Sequence, residues 1–311
     1  MPTKLQTIQA LSTETMTRIT DTQDAWMDYL DTAAWLYKYP FHEQLLIYAQ
    51  RPDARACAPM ELWNQTFQRW VNKGAKGIAL IDDRGDQPRL RYVFDLADTN
   101  TRSDIPVRLW SLENHHQTQV MEELGNRFGT PENNEDFAHQ LLDIVRNAVF
   151  DNIADYSEVL HLIAEGSQLD GMAEGEILDR FVNTVYGGVA YTVLARANIN
   201  PRMVLTMSNF LHVQYFDTPM TASQLGCATA DISEMILRQM ERSVRGIEQL
   251  ERDNIAKVSK VQDTDVVSNE PTTERSDAYG TDLSEKRGLF KLRIVGWKNS
   301  QTHCLQELLA S

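Results

Sequence analysis

Apolar positions recur at helical spacing in two stretches of the chain, separated by a short interval of alternating pattern. Trp26, Leu30, Ala33 and Tyr37 lie 4, 3 and 4 residues apart and share one stripe of a helix. Thr20 and Gln23 have the spacing of a capping box, so a helix is predicted over residues 21–38. Pro40 disfavours helical geometry at Tyr39, and residues 42–50 predict a second helix with Leu45, Leu46 and Ala49 inward. Pro59 suits the first turn of a third helix reaching to about Phe67. Residues 1–19 carry no periodic apolar pattern and predict a flexible arm.

After Phe67 the period changes. Residues 69–71, 78–81 and 90–96 predict three short strands of a small antiparallel meander, with a glycine turn between the first two and a loop at 82–88. From about Glu113 the signal is helical, over 135–149, 153–165, 174–197, 203–213 and 221–250; Ile177, Phe181, Val185 and Val189 illustrate the spacing. Thr221 and Gln224 form a second capping-box pattern after Thr218-Pro219, which reads as excluding helix. Residues 254–285, rich in Ser, Thr, Asp and Glu, predict a disordered linker, and 286–311 regain Phe290, Ile294, Val295 and Trp297 without an assignable partner. The predicted class is α+β: N-terminal helices on a small antiparallel β-meander, then an all-α region and a disordered C-terminal tail. The corresponding divisions are an arm (1–19), a domain (20–110), an acidic helical module (111–253) and a linker with tail (254–311).

The 311 residues, 42% of them hydrophobic, suffice for a substantial core. An N-terminal apolar signal segment and a run of 18 apolar residues are both missing from the sequence, so a cytoplasmic protein with no membrane partner is expected. Cys57, Cys227 and Cys304 are far apart and show no C-x-x-C spacing, which fits a reducing compartment. The net charge of −14 is uneven: residues 1–110 carry 13 cations against 14 anions, 111–245 carry 8 against 19, and 246–311 carry 9 against 11. Residues 38–80 hold 6 cations and 3 anions, a locally basic stretch.

Within that stretch lies Trp63-Asn64-Gln65-Thr66-Phe67-Gln68-Arg69-Trp70-Val71-Asn72-Lys73-Gly74-Ala75-Lys76-Gly77. A Lys-Gly-x-Lys-Gly turn offers two ammonium groups on a backbone with few side chains in the way of a phosphate, and the aromatic rings offer faces for unpaired bases. The competing account is an ordinary solvated hairpin turn with core aromatics. Arg51 and Arg55, flanking Pro52, either meet phosphates or cap helix carbonyls. His115-His116 lacks a completing ligand set, Asp82-Asp83 and Asp95 with Asp98 read as loop carboxylates, Arg84-Gly85-Asp86 as a turn, and Gly187-Gly188 as a close helix contact. Catalysis, a metal and a cofactor are therefore not expected.

Segment 18–102 resembles the N-terminal domain of ArdC-type antirestriction proteins, and more closely the opening of the large helicase and methylase polypeptides of conjugative elements. The resemblance is carried by Phe41 to Ala54, by Trp63, by Arg69 to Ile78 and by Tyr92 to Thr99; Gly188 to Arg196 and Phe216 to Pro219 resemble the region that follows in those polypeptides. It implies single-stranded DNA binding during transfer of an element into a new host. From the charges, rings and glycine turn of this sequence the expected DNA-contacting set is Arg51, Arg55, Arg69, Lys73 and Lys76 on phosphates, Trp63 or Trp70 stacking bases, and Gly74 and Gly77 keeping the turn open. The chain departs from ArdC in having no His-Glu-x-x-His, and helicase and methylase motifs are absent, which suggests a front fragment or shortened relative of a larger architecture. The alternative expectation is an acidic helical module that engages a protein partner, or mimics DNA, without binding nucleic acid.

Overall fold

The computed structural model describes residues 2–85, 87–101, 107, 109–133 and 135–265, with side chains to residue 256. Residues 1–250 form one compact unit and a second begins at Glu251, of which only the helical stretch to Asp265 is described. The architecture is α+β, as expected.

The first helix, α1 (Lys4–Arg18), replaces the predicted flexible arm. Thr3 caps it: its hydroxyl accepts from the Gln6 amide while Gln6 Oε1 accepts from the Thr3 amide. Ile8, Thr15 and Met16 are buried along it, a stripe too sparse in apolar residues to register as amphipathic. Helix α2 (Gln23–Ala33) is capped by Thr22, which accepts from Ala25 N at 3.0 Å; Thr20 is buried and its hydroxyl donates to Thr17 O. The helix ends five residues before the predicted Lys38, because tight bonds from Leu36 N to Ala33 O and from Tyr39 N to Leu36 O wind the chain into turns. Tyr37 is buried all the same.

Helix α3 (Phe41–Gln50) follows Pro40 and buries Phe41, Gln44, Leu45, Leu46 and Ile47, whereas Ala49 is only half-buried. Strand β1 (Cys57–Ala58), helix α4 (Met60–Gln65), β2 (Arg69–Val71), β3 (Ile78–Asp82), β4 (Arg89–Asp95) and β5 (Thr99–Thr101) come next. Strands β3 and β4 form an antiparallel hairpin in the register Ile78↔Val93 to Asp82↔Arg89, and β1 pairs with the other edge of β4. The predicted meander is rearranged at β2, which pairs with β5 in a separate two-stranded sheet, Trp70 opposite Asn100. Asn72 N donates to Asp98 O at 2.8 Å and holds β2 against the segment leading into β5. Ile8, Leu46 and Ile47 pack with Ile78, Leu80 and Val93 in a small core between α1, α3 and the hairpin.

The helical region comprises α5 (Gln117–Phe128), α6 (Phe137–Asn152), α7 (Ala154–Ser157), α8 (Leu160–Ile163), α9 (Glu174–Arg196), α10 (Pro201–Val204) and α11 (Pro219–Asp265). Pro219 does not exclude α11 but begins it, with Thr218 accepting from Thr221 N at 3.3 Å, a place where a missing amide hydrogen costs nothing. The helix carries through residues 254–265, the start of the predicted linker; 266–311, including the predicted tail and Cys304, lie outside the described residues.

One large core joins the two expected domains. Trp26, Tyr29 and Phe41 are buried in the same cluster as Leu141, Val189 and Ile236, so residues 20–110 and 111–250 do not pack separately. Glycines permit the closest contacts of this core, and at Gly226 the contact crosses between the two regions. A Cβ at Gly187 would strike the Asn209 carbonyl, one at Gly188 would press on Thr229, and one at Gly226 would overlap the Phe41 ring.

Candidate nucleic-acid interface

The glycine turn is a β-turn closed by Ala75 N donating to Asn72 O at 3.0 Å. Gly74 occupies its third position at φ +89°, the left-handed value that a type II turn requires and that glycine adopts without strain. A Cβ there would meet nothing within 4 Å, so the backbone is unobstructed. Lys73 and Lys76 are exposed on either side. Several carboxylates of this region are engaged by arginines, Asp53 and Asp98 by Arg51, Glu43 by Arg91, and Asp82 by Arg84 and Arg89; neither lysine forms an ion pair with a described residue. Trp70, 50% exposed, precedes the turn on β2.

Other members of the predicted set have structural duties. Trp63 is 2% exposed and donates Nε1–H to Phe94 O at 2.8 Å, with Phe67 against it at 5.2 Å between ring centroids, so it offers no face for a base. Its spacing on α4, inward against β4, decides this. The Arg51 guanidinium is held by Asp98 and Asp53, and the Asp98 bond keeps its pKa above the usual arginine value. It joins the end of α3 to the turn before β5 rather than awaiting phosphate. Arg69 donates Nε–H to Thr99 Oγ1 at 2.7 Å and Nη2–H to Thr99 O at 2.9 Å, fastening β2 to β5. Gly77 lies where a Cβ would stand 3.2 Å from Tyr92 and Phe94, so its role is close approach to β4, not an open bend.

Successive strand residues face opposite sides, so Arg69 and Trp70 cannot serve one surface. Arg69 and the exposed Arg55 line an open cleft of about 940 Å³, walled also by Trp35, Leu96 and Leu109. Asp95, buried at its edge, accepts from Arg55 N at 2.9 Å, Ala56 N at 3.0 Å and Ala97 N at 2.9 Å, three backbone bonds that make it an anchor of the loop. Trp35, Arg55 and Leu109 also line an adjoining pocket of about 240 Å³ with Trp63, Phe67 and Trp110. The expected set thus divides into a turn surface (Trp70, Lys73, Gly74, Lys76) and a cleft (Arg55, Arg69).

Sequence reasoning missed Trp35, Trp110 and Arg196. Trp35 had one signal, a large ring falling off the stripe defined by Trp26, Leu30, Ala33 and Tyr37. Of the adjacent histidines, His116 is buried and its Nδ1 accepts from Glu113 N at 3.1 Å, capping the turn before α5. Among the described residues, no helix is long and apolar enough to cross a membrane. Comparison with models of protein families, with curated proteins and with solved structures finds no match to the chain.

Proposed function

We propose that the chain binds single-stranded DNA without catalysing a reaction on it, through the surface formed by Trp70, Lys73 and Lys76. The observation that carries this reading is a pair of exposed lysines with no described ion-pair partner on an unobstructed glycine turn, directly after a half-exposed tryptophan. Ammonium groups release counterions when they meet phosphates, and an exposed indole face accepts any base, contributing about 1–3 kcal/mol per stacked base. On this proposal, which rests on the resemblance to ArdC-type domains, such binding would serve the transfer of a conjugative element, with an antirestriction role, in the cytoplasm.

Anisotropy titration of a labelled single-stranded oligonucleotide at about 50 and 200 mM salt tests the reading. Lys73→Ala with Lys76→Ala should flatten the slope of log K against log salt by about 1.4, since each single-strand phosphate contact contributes about 0.7. Undetectable binding at the lower salt, or an unchanged slope in the double variant, rejects it. A second reading, in which the helical region binds a basic protein partner, is favoured by its charge. Arg146, Arg180, Arg238 and Arg245 are already paired with Asp143, Glu176, Glu234 and Glu241, leaving a large carboxylate excess among the 19 acidic residues of 111–245.

A further inference from the structure

A guanidinium lies almost wholly inside the protein with no carboxylate to match it. Arg196, at the end of α9, is 5% exposed, and its carbon Cζ sits 3.6 Å from the ring centroid of Trp110 and 4.8 Å from that of Trp35. Its Nη2–H donates to Trp110 O at 2.8 Å, and it forms no ion pair with a described residue. Burial lowers its pKa to about 10, a measure of how poorly the charge is solvated. Glu241 borders the same pocket but is already committed to Lys38, Arg245 and the Tyr37 hydroxyl. At the outer end Arg55 is exposed, lies 4.9 Å over the Trp35 ring, and is likewise in no ion pair with a described residue. Of the four cations that line the space walled by Trp35, Trp63, Phe67 and Trp110, Lys38 and Arg245 are paired with Glu241, whereas Arg55 and Arg196 form no ion pair with a described residue.

The size of that space restricts what enters. About 240 Å³ lies below the roughly 300–1,000 Å³ of sites that enclose whole drug-sized ligands, so it takes one ring system and leaves the rest of the molecule outside. Outside is the cleft of about 940 Å³, which shares Arg55 with the pocket. A buried arginine with donors to spare suits an oxygen or ring-nitrogen acceptor on the edge of a heteroaromatic ring, aromatic walls suit its faces, and a freely hydrated arginine at the mouth suits a phosphate.

We infer that the pocket between the turn after α2, strand β1 and α11 is a nucleotide site: the base lodges among Trp35, Trp110 and Phe67 with an edge acceptor on Arg196, and Arg55 holds the 5′-phosphate. The shared chemistry is one nucleotide unit, either a free mononucleotide or an unpaired unit of a DNA strand. The site does not depend on the glycine turn and stands or falls separately from it.

Calorimetric titration of the full chain with the four deoxynucleoside monophosphates, the corresponding nucleosides, deoxyribose 5-phosphate and a short single-stranded oligonucleotide tests the site. At least one mononucleotide should bind roughly 10-fold or more tightly than its nucleoside or the sugar phosphate, as a charge-assisted contact allows. Arg55→Gln, at an exposed side chain, should abolish that preference for the phosphate without moving the thermal midpoint, and Trp35→Leu should weaken nucleotide and nucleoside alike. Lys73→Ala with Lys76→Ala should leave mononucleotide affinity unchanged, which separates this site from the proposed DNA surface. Binding of the oligonucleotide alone, reduced by Arg55→Gln, assigns the site to a strand unit. Sugar phosphate binding as tightly as nucleotide, or no response of any ligand to Arg55→Gln, overturns the inference.

Discussion

The Tyr37 hydroxyl donates to Oε2 of Glu241 at 2.6 Å, joining residues 204 positions apart in one buried contact. Trp110 Nε1–H donates to the same Tyr37 oxygen at 3.0 Å, and Lys38 and Arg245 bind the Glu241 carboxylate from the turn after α2 and from α11 itself. Three separated segments, the turn after α2, the stretch at Trp110 and α11, are thus tied together through one carboxylate. The contact explains why residues 20–110 and the helical region share a core, and it forms the inner wall of the aromatic pocket.

The Glu241 carboxyl gives stability a pH signature. Burial acts to raise its pKa, but the hydrogen bonds from Lys38 and Tyr37 and the charge of Lys38 prevail and hold it at about 2, against an ordinary 4.5. A carboxyl depressed in the folded state stabilises fully above its unfolded pKa, and that contribution disappears as pH falls from about 4.5 towards 2. Glu241→Gln should therefore cost about 2 kcal/mol at pH 7, and urea midpoints of the two proteins should converge across that acid window. Curves that stay parallel from pH 7 to 2 would show that the carboxylate carries no linked stability.

Two glycines on α11 should respond in opposite directions to the same methyl group. At Gly226 an added Cβ overlaps the Phe41 ring, and neither the aromatic ring nor the packed helix can yield cheaply. Gly226→Ala should destabilise by about 1–3 kcal/mol through overpacking. At Gly246 the Cβ meets nothing within 4 Å, so Gly246→Ala should stabilise by about 0.5–1 kcal/mol through lower backbone entropy in the unfolded chain. Thermal midpoints measured side by side check both signs; an equal response at the two positions would contradict the packing of α11 on Phe41.

The elements that were legible in the sequence are those whose signal is local. The stripe of Trp26, Leu30 and Ala33 and the run Ile78 to Ile81 form the helix and strand they predict, and the turn at Gly74 has the positive φ its residue type suggests. Where tertiary contacts choose among local options, reading fails. Tyr37 continues the helical count yet is buried from a turn, because Glu241 and Trp110 hold its hydroxyl. The partner of β2 is Thr99-Asn100-Thr101, three polar residues with no apolar period, selected by the bonds of Arg69 to Thr99. The candidate surface was legible at Lys73 and Lys76, which need only a solvated turn. The pocket was not, since Arg196 and Trp110 meet from 86 positions apart.

The two tryptophans that precede the glycine turn in sequence should separate binding from folding. Trp70 is half exposed on a three-residue strand, so Trp70→Ala should change stability by no more than about 0.5 kcal/mol. If its indole face receives a base, the same variant should weaken a single-stranded oligonucleotide by about 1–3 kcal/mol, roughly 5- to 150-fold. Trp63 is buried and bonded to the Phe94 carbonyl, so Trp63→Ala should cost about 3–5 kcal/mol of stability by leaving a cavity and an unpaired acceptor. Denaturant unfolding and anisotropy titration on both variants check the pair. Full oligonucleotide affinity in a folded Trp70→Ala protein would remove stacking from the proposed interface and leave the lysines to account for any binding alone.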